Sequence, residues 1–82
     1  MKLYFNKNDL WLLLGEFNNV LDIKIALMKF LEKYNYKSYY TRISGTDKPD
    51  VIQIDFGSHT SFFFVKDLKM TMNEFLIEFY KE

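Results

Sequence analysis

Asp55, Ser58, His59 and Ser61 stand together in the stretch DFGSHTS, which brings a carboxylate, an imidazole and two hydroxyls into one short segment. Those are the residue types of nucleophilic catalysis. A triad, however, needs a base bonded to the nucleophile, a third group that orients the base, and amides aimed at the oxyanion. Residues adjacent in a tight turn do not converge in that way, so these side chains read as turn polarity. Asp55-Phe56-Gly57 matches a kinase tripeptide, but a kinase also needs a glycine-rich loop, a strand lysine and a catalytic-loop Asp and Asn, and none is present. Asp47 and Asp50 bracket Pro49, where solvated turn residues are expected. His59 is the single histidine and there is no cysteine, which rules out a multi-histidine or thiolate metal site within one chain. No EF-hand spacing, P-loop or dinucleotide fingerprint occurs. The reading is a non-enzyme, with no catalytic residue, no metal and no cofactor.

Recognition chemistry is better represented. In KYNYKSYYTR, Lys33, Lys37 and Arg42 interleave with Tyr34, Tyr36, Tyr39 and Tyr40. Bases stack on such rings and cations hold phosphate, so a nucleic-acid strip is one reading, with Lys24 and Lys29 extending it. Against it stand a formal net charge of +0 and a single arginine. Alternating tyrosines also suit a half-exposed strand with no ligand. The second recognition feature is SHTSFFFVKD, with Phe62, Phe63 and Phe64 side by side. Successive strand side chains point to opposite faces. A sheet covered on one face cannot hide all three rings, and an apolar patch left on a small protein marks an interaction surface.

The elements that must position these residues follow from periodicity. MKLYF reads as a short strand or an ordered arm. Asn8 or Asp9 then caps a short apolar helix over DLWLLLGEFNN, weakened by Gly15 and broken near Asn18 and Asn19. The clearest helix is NNVLDIKIALMKFLEKYNY, where Val20, Ile23, Leu27, Phe30, Leu31 and Tyr34 recur at helical steps. Whether residues 9–34 make one bent helix or two stays open. Three strand-like runs follow: Tyr36–Ile43, DVIQIDF and TSFFFVKD, joined by the polar loop SGTDKPD and the turn FGSHT. Ile52, Ile54 and Phe56 share the inward face of the second run. For the third, either Phe62 with Phe64 or Phe63 with Val65 points inward. TMNEFLIEFYKE closes the chain with a capping box at Thr71–Glu74. The expected fold is a single two-layer α+β domain over residues 1–82, α-β-β-β-α, with N-terminal helix or helices, a three-stranded antiparallel meander and a C-terminal helix.

Bulk properties frame that fold. A chain of 82 residues sits near the lower end of what folds without staples. Its 20% aromatic content supplies large buried area per residue. Charge is uneven: residues 1–49 carry eight basic and five acidic groups (+3), and residues 50–82 carry three basic and six acidic (−3). LWLLLGEF is too short to span a bilayer, and no signal-peptide pattern is seen, so a cytoplasmic location and no membrane partner are expected.

The stretch from Tyr39 to Phe56, YYTRISGTDKPDVIQIDF, resembles the strand-loop-strand of small Listeria prophage anti-CRISPR proteins that inhibit Cas9. The shared features are a strand ending in Arg42-Ile43, the loop Ser44-Gly45-Thr46-Asp47, and Gln53-Ile54 in the next strand. The resemblance covers under a quarter of the chain, and it implies a phage- or mobile-element-borne inhibitor of a host defence protein. Those proteins are strongly acidic DNA mimics with a long acidic C-terminal part, whereas this chain is neutral and lacks such a part, so the DNA-mimic mechanism is not implied. The expected function is a non-catalytic protein-binding module that acts by occlusion. Its expected contact residues are Tyr36, Tyr39, Tyr40, Arg42 and Phe63, with Thr46, Asp47, Ser58 and His59 as rim. A nucleic-acid-binding domain using Lys33, Lys37 and Arg42 is the second expectation. A homodimer that covers its own outer sheet face is the third.

Overall fold

The computed structural model describes residues 1–81. Its order is β1 (Lys2–Lys7), β2 (Leu10–Glu16), α1 (Val20–Lys33), β3 (Arg42–Gly45), β4 (Ile52–Asp55), β5 (Ser61–Lys66) and α2 (Met72–Phe79). The strands form one five-stranded antiparallel sheet in the order β2-β1-β5-β4-β3. The expected α-β-β-β-α arrangement is therefore incorrect: the chain is β-β-α-β-β-β-α. β3, β4 and β5 are sheet neighbours, but β1 adds to β5 and β2 adds to β1.

The error lies in the first twenty residues. Leu10 to Leu14 is a run of consecutive apolar residues, and periodicity cannot tell such a run as buried helix from strand. What decides is the turn before it. Asn8 and Asp9 do not cap a helix: both have positive φ, 51° and 66°. Type I′ hairpin turns require this of both central residues, and Asn and Asp tolerate it better than other residues. Lys7 pairs with Leu10 directly across that two-residue turn. The pairing continues to Lys2–Glu16, with a register shift between Leu3 and Tyr4 that leaves Leu14 as the extra residue of a bulge. The Phe17 amide donates to the Met1 carbonyl at 2.8 Å, which prolongs the ladder by one step. MKLYF thus becomes an interior strand rather than an arm.

Asn19 caps α1, its side-chain oxygen accepting from the Asp22 amide at 2.9 Å. α1 ends in a Schellman-type closure: Asn35 takes the left-handed conformation (φ 60°), Tyr36 donates to the Leu31 carbonyl at 2.9 Å, and Asn35 donates to Glu32 at 3.2 Å. That closure corrects a second expectation. Tyr36 serves the helix end and stacks on Phe30, so the strand expected over Tyr36–Ile43 starts only at Arg42. α2 carries the capping box expected at Thr71 and Glu74.

Both helices bury their apolar stripes in one core with one face of the sheet. Val20, Ile23, Leu27 and Leu31 of α1 join Phe75 and Phe79 of α2, Leu3 and Phe5 of β1, Ile52 and Ile54 of β4, and Phe63 and Val65 of β5. Leu3–Val65–Ile52 and Phe5–Phe63–Ile54 are inward rows across three strands. Phe63 is the hub, with ring centroids of Phe5, Phe56 and Phe30 at 5.2, 5.4 and 5.7 Å.

Candidate functional site: the helix-free sheet face

The inward face of β5 takes Ser61, Phe63 and Val65, so Phe62, Phe64 and Lys66 point away from the helices. Register then builds the outer face row by row. Tyr4 lies opposite both Phe64 and Leu13, and Asn6 lies opposite both Phe62 and Trp11. Gln53 of β4 continues the Phe64 row toward β3. Trp11 is the anchor of the patch: its ring centroid is 4.8 Å from Phe64 and 5.9 Å, edge-on, from Tyr4, and it is 48% exposed. The Lys66 ammonium lies 4.4 Å from the Trp11 ring centroid and 4.9 Å from that of Tyr4. A cation held over an aromatic face is stabilised by the ring quadrupole while keeping its outer hydration. Among the described residues no carboxylate reaches Lys66 as an ion pair, whereas Lys2 beside it contacts both Glu16 and Asp67.

The loop between β3 and β4 forms one wall. Thr46, Asp47, Lys48 and Val51 line a depression of about 230 Å³ together with Trp11, Phe64 and Lys66. Thr46 shapes that loop, because its hydroxyl donates to the Val51 carbonyl at 2.9 Å and accepts from the Lys48 amide at 3.2 Å. The result is an apolar, ring-rich platform with one ammonium near its centre and a polar loop at its rim.

The expected contact residues fall into separate places. Thr46 and Asp47 flank the platform as just described. Tyr36, Tyr39, Tyr40, Ser58 and His59 instead line a broad cleft of about 940 Å³, with Lys37, between the segment after α1 and the turn after β4. Gly57 permits this cleft. Its φ is +100°, and a Cβ there would sit 2.9 Å from Tyr39 Cβ, while the Tyr39 amide donates to the Phe56 carbonyl at 3.1 Å. Arg42 lies on β3, its guanidinium 5.8 Å from the Tyr40 ring centroid. Phe63 is displaced from the set altogether: it is fully buried at the centre of the core and touches no surface. The lysine strip also divides. Lys33 sits 5.4 Å over the Tyr34 ring and lines a crevice beside β2, while Lys37 lines the tyrosine cleft.

Tyr4, Trp11 and Lys66 are not among the expected contact residues, and the face of Phe62 and Phe64 was left open in the sequence. Trp11 was hidden because LWLLL was read as a helix. The signal that would have found it is the Asn8-Asp9 pair between two apolar runs, which is hairpin chemistry. The catalytic-type residues have structural duties. Ser58 Oγ accepts from the Thr60 and Ser61 amides at 3.3 and 3.2 Å, and Asp55 Oδ1 accepts from the Gly57 amide at 2.8 Å. Among the described residues no group of three His, Asp or Glu side chains is placed to hold a metal ion, and no helix is long and apolar enough to cross a membrane. Comparison with protein-family models, curated proteins and solved structures finds no match to this chain.

Proposed function

We propose that this protein is a non-catalytic binding module that docks a partner protein on its helix-free sheet face and acts by occluding the surface it covers. The observation that carries this reading is the platform on the sheet face away from both helices, where exposed Trp11 stands on half-buried Tyr4, Phe62 and Phe64 beside Lys66. Protein interfaces concentrate their energy in a few aromatic and cationic anchors inside a polar rim, and Trp and Tyr lead that list. The rim here is Thr46, Asp47 and Gln53. A host protein as target, and a phage or mobile-element origin, rest on the resemblance of Tyr39–Phe56, whose loop is the wall of the platform.

The test is capture of a partner from bacterial lysate, its identification by mass spectrometry, and titration calorimetry with the purified pair. Tyr4→Ala combined with Phe64→Ala is expected to weaken binding by at least about tenfold, the effect of losing hot-spot rings, with circular dichroism unchanged. A partner whose affinity ignores both substitutions overturns the reading. So does a protein that binds only single-stranded nucleic acid with a steep salt dependence, which would favour base stacking on the same rings.

A further inference from the structure

We propose that the free edge of β2, with the crevice between β2 and α1, is a docking groove for an extended peptide strand that carries apolar side chains at alternate positions and carboxylates among them. The sheet has two edges, and they differ. β3 is four residues long, contains Arg42 and Gly45, and runs directly into the loop of Pro49. Such short, charged edges discourage further pairing. β2 is seven residues long, and no charge, proline or bulge interrupts Leu10 to Leu13. Leu10 is 77% exposed, and Leu12 and Leu13 are each 50% exposed, although the strand is paired with β1 along its other side. An edge of this kind presents a row of backbone N–H and C=O groups with apolar side chains on both faces, which is a template for one more strand.

The inner side of that edge is a groove rather than a wall. α1 stands off β2 and leaves a crevice of about 290 Å³, with Leu12, Leu13, Leu14, Ala26 and Phe30 in its apolar lining. Lys29 and Lys33, one helical turn apart on α1, border it. Among the described residues neither lysine has a carboxylate within ion-pair distance. A strand laid along β2 would send alternate side chains into this crevice, since strand side chains alternate between faces. Acidic groups among those inward side chains would meet the two ammonium groups.

Charge also decides against a second copy of this chain. An isologous antiparallel pair about β2 would carry both copies' α1 helices to the same junction. The Lys29 and Lys33 pairs of the two molecules would then crowd one another, and like charges at an interface are costly. An acidic-apolar strand gains from the same lysines. The groove uses the β2 edge and α1, whereas the platform uses the opposite face of the sheet. The two proposals therefore fail separately.

The test selects binders from displayed random peptides of about ten residues, the length of a long strand. The enriched sequences are resynthesised and titrated into the full chain labelled with ¹⁵N. The groove predicts alternating apolar residues with Asp or Glu, amide shifts concentrated in Leu10–Glu16 and along α1 from Ala26 to Lys33, and micromolar affinity. Lys29→Glu with Lys33→Glu is expected to weaken binding about tenfold, and Leu12→Lys to weaken it independently. Tyr4→Ala with Phe64→Ala should leave peptide binding unchanged. The proposal is overturned if no peptide is enriched, if the shifts fall outside this groove, or if charge reversal has no effect. It is equally overturned if sedimentation shows a dimer and the β2 amides respond to protein concentration alone, because the edge would then belong to a second copy.

Discussion

Phe63 and Phe64 are neighbours of the same type with opposite duties, and the difference comes from pleat alone. Phe63 has no exposed surface and touches three other core rings, so Phe63→Ala removes packing that cannot reform around it. Such truncations cost about 3–5 kcal/mol, against a total of about 5–10 kcal/mol for a domain of this size. Phe63→Ala is therefore expected to be largely unfolded on modest warming, read by near-ultraviolet circular dichroism. Phe64 is half-buried and meets Trp11 at 4.8 Å, so Phe64→Ala should cost about 1–2 kcal/mol, clearly less than Phe63→Ala. Equal losses for the two would place the core on the wrong face of β5. The sequence states that three adjacent rings cannot all be buried. Which pair faces out was not legible, because Phe62 with Phe64 and Phe63 with Val65 are both plausible inward sets until β1 and β4 are known to flank them.

At the scale of elements, short-range signals were reliable where they were unambiguous. Thr71 and Glu74 satisfy each other's backbone as the capping pattern implies, with Glu74 N–H donating to Thr71 Oγ1 at 3.2 Å and Thr71 N–H donating to Glu74 Oε1 at 3.2 Å. Val20, Ile23, Leu27 and Leu31 of the α1 stripe are buried as their periodicity requires, whereas Phe30 is half-buried and Tyr34, expected on the same stripe, is the exposed C-cap. The failure was Asn8-Asp9, where the same residue types suit a helix cap and a hairpin turn. The positive φ of both residues makes a specific prediction. Asp9→Gly removes left-handed strain and gives the preferred Asn-Gly turn, so the urea midpoint should rise by about 0.5–1 kcal/mol equivalent. A loss of stability would mean that the Asp9 side chain holds the turn in another way. Tyr36 shows the converse error: an alternating tyrosine pattern looked like a strand, but Schellman closure of α1 claimed its first residue.

Across the whole molecule, order should follow sheet position. β5 and β1 are flanked by strands on both sides, while β2 and β3 are edges. Amides of Leu3, Phe5, Phe63 and Val65 are expected to exchange slowest, at or near the global unfolding free energy, and those of β3 fastest among the strands. Native-state hydrogen exchange reads this directly. Uniform protection would mean that the edges are covered in solution. The same topology explains why so much ring-bearing surface remains outside. Two helices of 14 and 8 residues cover one face of the sheet, and a neutral chain has no strong overall field to steer a highly charged partner.

From the sequence alone came an α+β composition, the helical segments of α1 and α2, a polar loop before β4, the inward set Ile52, Ile54 and Phe56, and a surplus of aromatic side chains; the loop begins only at Thr46, because Ser44 and Gly45, expected in it, pair with Gln53 and Ile52 as the end of β3. Those are local properties, set by spacing and turn chemistry within a few residues. The tertiary structure alone decided that Lys2–Lys7 enters the sheet interior, that Leu10–Glu16 is a free edge, and that Trp11 meets Phe64 and Lys66 from the far end of the chain. The physical reason is that strand pairing joins segments more than forty residues apart. A side chain's face depends on which neighbours it pairs with, and no local pattern contains that information.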